Sequence, residues 1–303
     1  MRTLWSMVIG LVLLVAQERD TLRVDVRLTQ VVVTVTDASG HFVTNLRPED
    51  FTVEFDGIPQ RIAHFTQDID TPVSLGILID VSRSMYPRLS AARLAGSRFI
   101  HGMRDADEFV LMTFATRMHV EHDLTQDRIK LDKALEEVDG GPGIGVFGVG
   151  MGTNLYPAVN KAVDKIRNGK HRKRALIVIS DGGNNSTDAF QKFRTDLRSA
   201  EIMMYSVHIK EAYELQPGIR APGSGYRELV MKTIADETGG RWFSVNGGAT
   251  STTLTKQFDD VFAQISAELR GQYSIGFYPP EHSRNLGKTR VQTNNSAYKV
   301  RFR

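Results

Sequence analysis

The chain has 303 residues, 41% hydrophobic and 24% charged, the balance of a globular protein with one large or two modest domains, which excludes global disorder. Its net charge of +3 is too small to imply a nucleic-acid partner. With no cysteine, a disulfide framework, a thiolate zinc site and a thiol nucleophile are all excluded.

Met1-Arg2-Thr3 opens the chain, Leu4 to Ala16 is a mostly apolar run, and Gln17-Glu18-Arg19-Asp20 is polar. That order is the n-region and h-region of a secretory signal, and the run is shorter than the roughly 18 to 20 apolar residues of a membrane span. Residues 1–16 are therefore expected to be a signal peptide cleaved after Ala16. Leu14 is bulky where a small residue is usual, so an uncleaved anchor is the alternative and the sole membrane contact the sequence suggests. A buried N-terminal strand is the structural alternative to both. The expected location is exported: periplasmic, envelope-associated or extracellular.

Residues 21–70 read as β throughout. Val24, Val26 and Leu28 alternate with Asp25 and Arg27, and Val31 to Thr36 continues as β-branched residues. Asp37-Ala38-Ser39-Gly40 is a turn. Phe42-Val43 and Phe51 to Phe55 are short strands, and Asp56-Gly57 is a tight hairpin turn before Ile58. Closely spaced strands with turn signals predict a small β-sandwich.

Past Thr71-Pro72, strands and helices alternate, which predicts a mostly parallel, doubly wound, Rossmann-like α/β sheet covered on both faces. Val73 to Ile79, Phe109 to Phe114, Ala175 to Ser180, Met203 to Ile209 and Trp242 to Val245 are the strands, with Met118 to His122 as an edge strand. Helices are expected over Ala91 to Met103, Ile129 to Val138, Asn154 to Ile166, Phe190 to Ala200, Tyr226 to Thr238 and Leu254 to Leu269. The second of these carries an apolar stripe through Ile129, Leu131, Ala134, Leu135 and Val138. Glycine-dense Asp139 to Gly152 is a loop. The tail, 272–303, returns to β pattern at Tyr273 to Tyr278, around Val291 and at Tyr298 to Phe302. An isolated hairpin is marginal in water, so this tail is expected to complete the N-terminal sandwich, with 72–271 inserted between.

Three loops of the α/β part carry oxygen donors. Asp80 ends an apolar strand and is followed by Ser82 and Ser84, whose i, i+2, i+4 spacing lets the side chains converge on one point. A glycine-rich loop delivers Thr153 to the start of a helix, and Asp181 ends a second apolar strand. The carboxyl ends of parallel strands are where such sheets bind ligands, so topology brings all five to one edge. Oxygen-only ligands favour Mg2+, Mn2+ or Ca2+ over zinc. Taken singly, Ser82 or Ser84 could equally cap the next helix.

The combination Asp80-Val81-Ser82-Arg83-Ser84, Gly152-Thr153 and Asp181-Gly182 resembles the metal-ion-dependent adhesion site of von Willebrand factor A domains, over about Pro72 to Gly271. The flanking segments Val31 to Thr36, Pro48 to Phe51, Asp56-Gly57 and Tyr273 to Pro280 look like those of exported von Willebrand A-related proteins of Acidobacteria. The resemblance implies that Ser82, Ser84 and Thr153 ligate a divalent cation, Mg2+ or else Mn2+ or Ca2+, directly. Asp80 and Asp181 then bind it directly or through water, and a Glu or Asp carboxylate of a partner protein fills the open position. Arg83 and Met151 depart from the family pattern, and Arg83 puts a cation beside the metal, weakening its binding or gripping an acidic partner.

The expected function is an exported, non-enzymatic, cation-dependent protein-binding module of adhesion type. The first alternative is a Mg2+-dependent phosphohydrolase with Asp80 as nucleophile. Such an enzyme would want a second acid two residues on, where this chain has Ser82, and a dedicated lysine near the strand ends, which it lacks. The second alternative is a metal-free structural domain. Other motifs carry less. Gly143 to Gly148 matches a dinucleotide fingerprint but follows a helix where the mechanism needs a strand. Lys165 to Arg174 is a basic run without interleaved aromatics and reads as a solvated loop, and Asn184 to Thr187 holds glycosylation-like sequons that mean nothing in a bacterial protein.

Overall fold

The computed structural model describes residues 28–67, 69–138, 152–210, 223–280 and 288–302. In chain order, the N-terminal strands are β1 (Thr29–Thr36), β2 (Phe51–Phe55), β3 (Ile58–Gln60) and β4 (Ile62–Gln67). The middle of the chain runs β5 (Val73–Asp80), α1 (Leu89–Gly102), β6 (Glu108–Phe114), β7 (Met118–Thr125), α2 (Arg128–Glu137), α3 (Leu155–Arg167), β8 (Lys173–Ser180), α4 (Phe190–Ser199), β9 (Met203–Lys210), α5 (Ser224–Asp236), β10 (Trp242–Asn246) and α6 (Ser251–Arg270). Strands β11 (Gln272–Phe277), β12 (Thr289–Thr293) and β13 (Lys299–Phe302) follow.

The central sheet has the order β10-β9-β8-β5-β6-β7, parallel throughout except for the antiparallel edge strand β7. Every residue of β5 is buried, as a strand covered on both faces requires. Its side chains alternate between two cores. Leu75, Ile77 and Ile79 pack with residues of α1, α2 and α6, and Leu78 packs on the opposite face with residues of α3, α4 and α5. Gly76 allows α3 to approach closely, since a Cβ there would lie 2.4 Å from Cδ1 of Ile166.

The two ends of the chain meet in a pair of antiparallel sheets, ordered β13-β1-β11-β4 and β12-β2-β3, that share one core. Val31, Val33 and Val35 of β1 face Phe51, Val53 and Phe55 of β2 and Tyr273, Ile275 and Phe277 of β11 across it. The turn between β2 and β3 has positive φ at both Asp56 (52°) and Gly57 (77°), as a two-residue hairpin demands. Arg301 of β13 donates to the buried Glu268 of α6 over 2.5 Å, so a half-buried ion pair ties the second core to the first.

The structure departs from the pattern reading in three places. Phe42 makes only an isolated bridge with Thr36, and no strand forms at Phe42-Val43. Ile129 is 80% exposed, because α2 buries Leu131, Ala134 and Leu135, and a residue two positions before Leu131 lies far around the helix from that stripe. Of the basic run, Lys165 and Arg167 close α3 and Lys173 and Arg174 open β8 half-buried, so it is not a free loop. Residues 24–27, 139–151 and 1–16, with the leader, Met151 and the Gly143 to Gly148 motif, lie outside the described residues. Among the described residues, no helix is long and apolar enough to cross a membrane.

Candidate metal centre

The backbone of β5 continues one residue past its last side-chain pair, with Val81 N–H donating to the Phe114 carbonyl at 2.8 Å. That fixes Asp80 at the carboxyl edge of the sheet, where it is fully buried. Its Oδ1 accepts the Ser82 backbone N–H at 2.9 Å, which bends the chain into the next loop, and its Oδ2 accepts the Ser180 hydroxyl at 2.6 Å. Met85, fully buried, anchors that loop from below, and Met85 N–H donates to the Ser82 carbonyl at 2.9 Å. Arg88 braces it from the side through the carbonyls of Ser84 and Gly247. The result is that the Ser82 and Ser84 hydroxyls lie 3.2 Å apart.

Asp181, one residue past β8, is held differently. Its Oδ1 accepts the Gly183 N–H at 2.8 Å, while its Oδ2 accepts both the Ser84 hydroxyl at 2.7 Å and Nη1 of Arg227 at 2.8 Å. Gly182 turns the chain away with φ of 78°, and a Cβ there would lie 2.5 Å from the Arg227 carbonyl. Only glycine tolerates that combination.

Thr153, 7% exposed, is brought in by a third loop just before α3. Its backbone is clasped to the loop after β8, because Thr153 N–H donates to Oδ1 of Asn185 at 2.9 Å and Asn185 N–H donates to the Thr153 carbonyl at 2.6 Å. Asn154 N–H donates to the Ala115 carbonyl at 2.8 Å and so fastens the same loop to the end of β6. A Cβ on Gly183 would meet Oδ1 of Asp181 at 3.0 Å and Oγ1 of Thr153 at 3.8 Å, so hydroxyl and carboxylate lie over the same spot.

All five sequence-predicted residues thus stand together at one edge of the sheet. Two carboxylates and three hydroxyls make a set of hard oxygen donors; with only two acids the set is not a cluster of three or more His, Cys, Asp or Glu, and among the described residues no such cluster occurs. The electrostatics suit a cation. Burial, and then the negative charge of Asp181, push the Asp80 carboxyl up to about 7. Behind the site His208 is fully buried, with Nε2 3.2 Å from the Asp181 carbonyl, and burial pulls its imidazole down to about 4.

Three contributors escaped the sequence reading. Asn185 was legible only as part of a sequon, Ser180 only as the end of a strand, and Arg227 not at all. Arg83, the cation expected to disturb the site, is exposed, and the guanidinium that reaches a site carboxylate is that of Arg227.

Residues 75–184 match the family model of the von Willebrand factor type A domain. The fold agrees. A von Willebrand factor type A structure from Catenulispora acidiphila superposes with a TM-score of 0.50 at 12% identity, covering 91% of this chain and 72% of that one. Proximal thread matrix protein 1 from the mussel byssus, in a form whose metal-ion-dependent adhesion site holds zinc, also gives a TM-score of 0.50, at 13% identity over 71% of this chain and 49% of that one. Among curated proteins, an uncharacterized protein of Borreliella burgdorferi is 26% identical over 186 residues, 56% of this chain. The match spans about half, 53%, of that relative's length. The molecule is thus a von Willebrand factor A-type α/β sheet with extra antiparallel strands from both ends of the chain.

Proposed function

We propose that the protein is an exported, cation-dependent protein-binding module, in which Ser82, Ser84 and Thr153, with Asp80 and Asp181 bound directly or through water, hold Mg2+, or Mn2+ or Ca2+ in its place. Bound there, the cation supplies an open coordination position and a surplus of positive charge that a Glu or Asp carboxylate of a partner protein can take. Domains of this class often mediate protein interactions through such a metal.

The observation that carries the reading is that three separate loops bring two buried carboxylates and three hydroxyls to one edge of the sheet, with Asp80 pushed up to about 7. A first shell rich in neutral hydroxyls leaves a divalent cation short of negative charge, which is what makes an incoming carboxylate a strong ligand. Around the pair this chain's residues do the positioning: Ser180 and the Ser82 N–H orient Asp80, the Gly183 N–H orients Asp181, and Asn185 sets Thr153. Export rests on the apolar run of residues 4–16. Nucleic acid is not a partner in this reading.

The module is also proposed to be non-enzymatic. Both Asp80 oxygens are engaged by hydrogen-bond donors inside a buried pocket, a poor state for a nucleophile, and Ser82 occupies the position of the second acid. Robust phosphoester turnover with Mg2+, lost in Asp80→Asn, would overturn this. The binding reading is tested by capture from an envelope extract with and without chelator, using Thr153→Ala as control. Capture that disappears with either treatment supports it, and capture indifferent to both removes the adhesion mechanism.

A further inference from the structure

We infer that Arg227 is a resident cation of this site: its guanidinium holds Asp181 when no divalent cation is bound and competes with the metal for that carboxylate. This regulation rests on the metal reading above. Arg227 Nη1 lies 2.8 Å from Oδ2 of Asp181, the same oxygen that accepts from Ser84, so the guanidinium engages a ligand and not merely the rim. The Asp181 side chain is 3% exposed and that of Arg227 35% exposed. One partner is therefore fixed, and the other has a way out to solvent.

The backbone beneath Arg227 is built into the site. The Tyr226 hydroxyl pairs with that of Tyr156 near the start of α3 at 2.7 Å, which joins the first turn of α5 to the helix that Thr153 introduces. The Arg227 carbonyl abuts Gly182 so closely that a Cβ there would sit 2.5 Å away. Its neighbour Glu228 is already engaged by Lys232 at 2.8 Å and lies 3.9 Å from Lys210, leaving Asp181 as the anion that Arg227 reaches.

Two charges of the same sign cannot share one carboxylate cheaply in a buried place. A divalent cation drawing on Asp181 meets the guanidinium at once, and the lowest-energy outcome is that Arg227 swings outward through its exposed side. Metal binding therefore turns a half-buried ion pair into an exposed cation beside the metal. That cation faces the same solvent from which an acidic partner arrives, so metal and acidic ligand reinforce each other's binding.

The test is calorimetric titration of Mg2+ into the full chain as wild type, Arg227→Gln, Arg227→Lys and Arg83→Gln, with melting curves in chelator and in saturating Mg2+. Arg227→Gln is expected to bind Mg2+ about fivefold more tightly than wild type, the scale of one partly exposed ion pair. Arg227→Lys should stay near wild type, and Arg83→Gln, which removes an exposed charge, should shift by less than about twofold. In chelator Arg227→Gln should melt lower than wild type, and in Mg2+ the difference should vanish. Wild-type binding with Arg227→Gln no tighter, or weaker, overturns the inference and leaves the metal reading standing. Absence of binding to Mg2+, Mn2+ and Ca2+ in all four proteins overturns both.

Discussion

Asp80 and Asp181 occupy equivalent places, each at the carboxyl end of a buried parallel strand, yet they are compensated in opposite ways. Asp80 is surrounded by neutral donors, the Ser82 N–H and the Ser180 hydroxyl, and burial pushes its carboxyl up to about 7. Asp181 has a guanidinium against it. The same topology therefore yields one carboxylate that holds a proton readily and one that is paired with a cation. The difference shows that the charge of the site is set less by the strands that present it than by what the loops and α5 bring alongside.

The largest expected effect breaks this comparison on the Asp80 side, in chelator. Its folded carboxyl titrates at about 7 against 3.8 unfolded, so between those values the native state holds a proton that the unfolded chain has lost. Stability falls as pH rises through that window, by up to about 4 kcal/mol. Relative to wild type, Asp80→Asn should gain that amount from pH 4 to pH 7. His208 runs the other way: with a folded value of about 4 against 6.5, the unfolded chain binds the extra proton, and stability rises from pH 4 to 6.5 by up to about 3 kcal/mol. His208→Gln should lose this rise. Denaturant melts of the three proteins across that range check both signs, and parallel profiles would contradict them.

Next in size is Gly182, which keeps the Asp181 loop clear of α5. Gly182→Ala places a Cβ 2.5 Å from the Arg227 carbonyl at a φ of 78°, and should cost about 2 to 3 kcal/mol in chemical denaturation. A cost under about 0.5 kcal/mol would mean that α5 does not press on this loop. A smaller effect belongs to Asn185, whose side chain positions Thr153. Asn185→Ala removes one partly buried hydrogen bond and should cost about 1 kcal/mol, with weaker metal binding as the accompanying sign that Thr153 has moved.

Much of the architecture could be read from local pattern, because apolar runs such as Val73 to Ile79 and Ala175 to Ile179 stop abruptly at oxygen-bearing residues. Strand ends fix where a side chain must sit, so Asp80, Ser82, Ser84, Thr153 and Asp181 could be gathered at one edge before any coordinates. Contacts that depend on how a helix docks could not be seen. Arg227 reaches Asp181 from 46 positions away, through the seat of α5 on Gly182 and the Tyr226 to Tyr156 pair. Nothing within Tyr226 to Thr238 distinguishes that arginine from any other on a helix. Asn185 was hidden for a related reason, since its role lies in a reciprocal bond to a loop 32 residues earlier. Ile129 failed by rotation: the stripe that α2 buries starts at Leu131, and apolar identity alone did not say where the face ended.

The most direct test of the central claim is calorimetric titration of Mg2+ into chelator-stripped protein, wild type against Asp80→Asn and Thr153→Ala. One site that is lost, or weakened at least about a hundredfold, in both variants is the predicted result. Wild-type binding that survives both substitutions unchanged, or no binding of Mg2+, Mn2+ or Ca2+ at millimolar concentration, would contradict it.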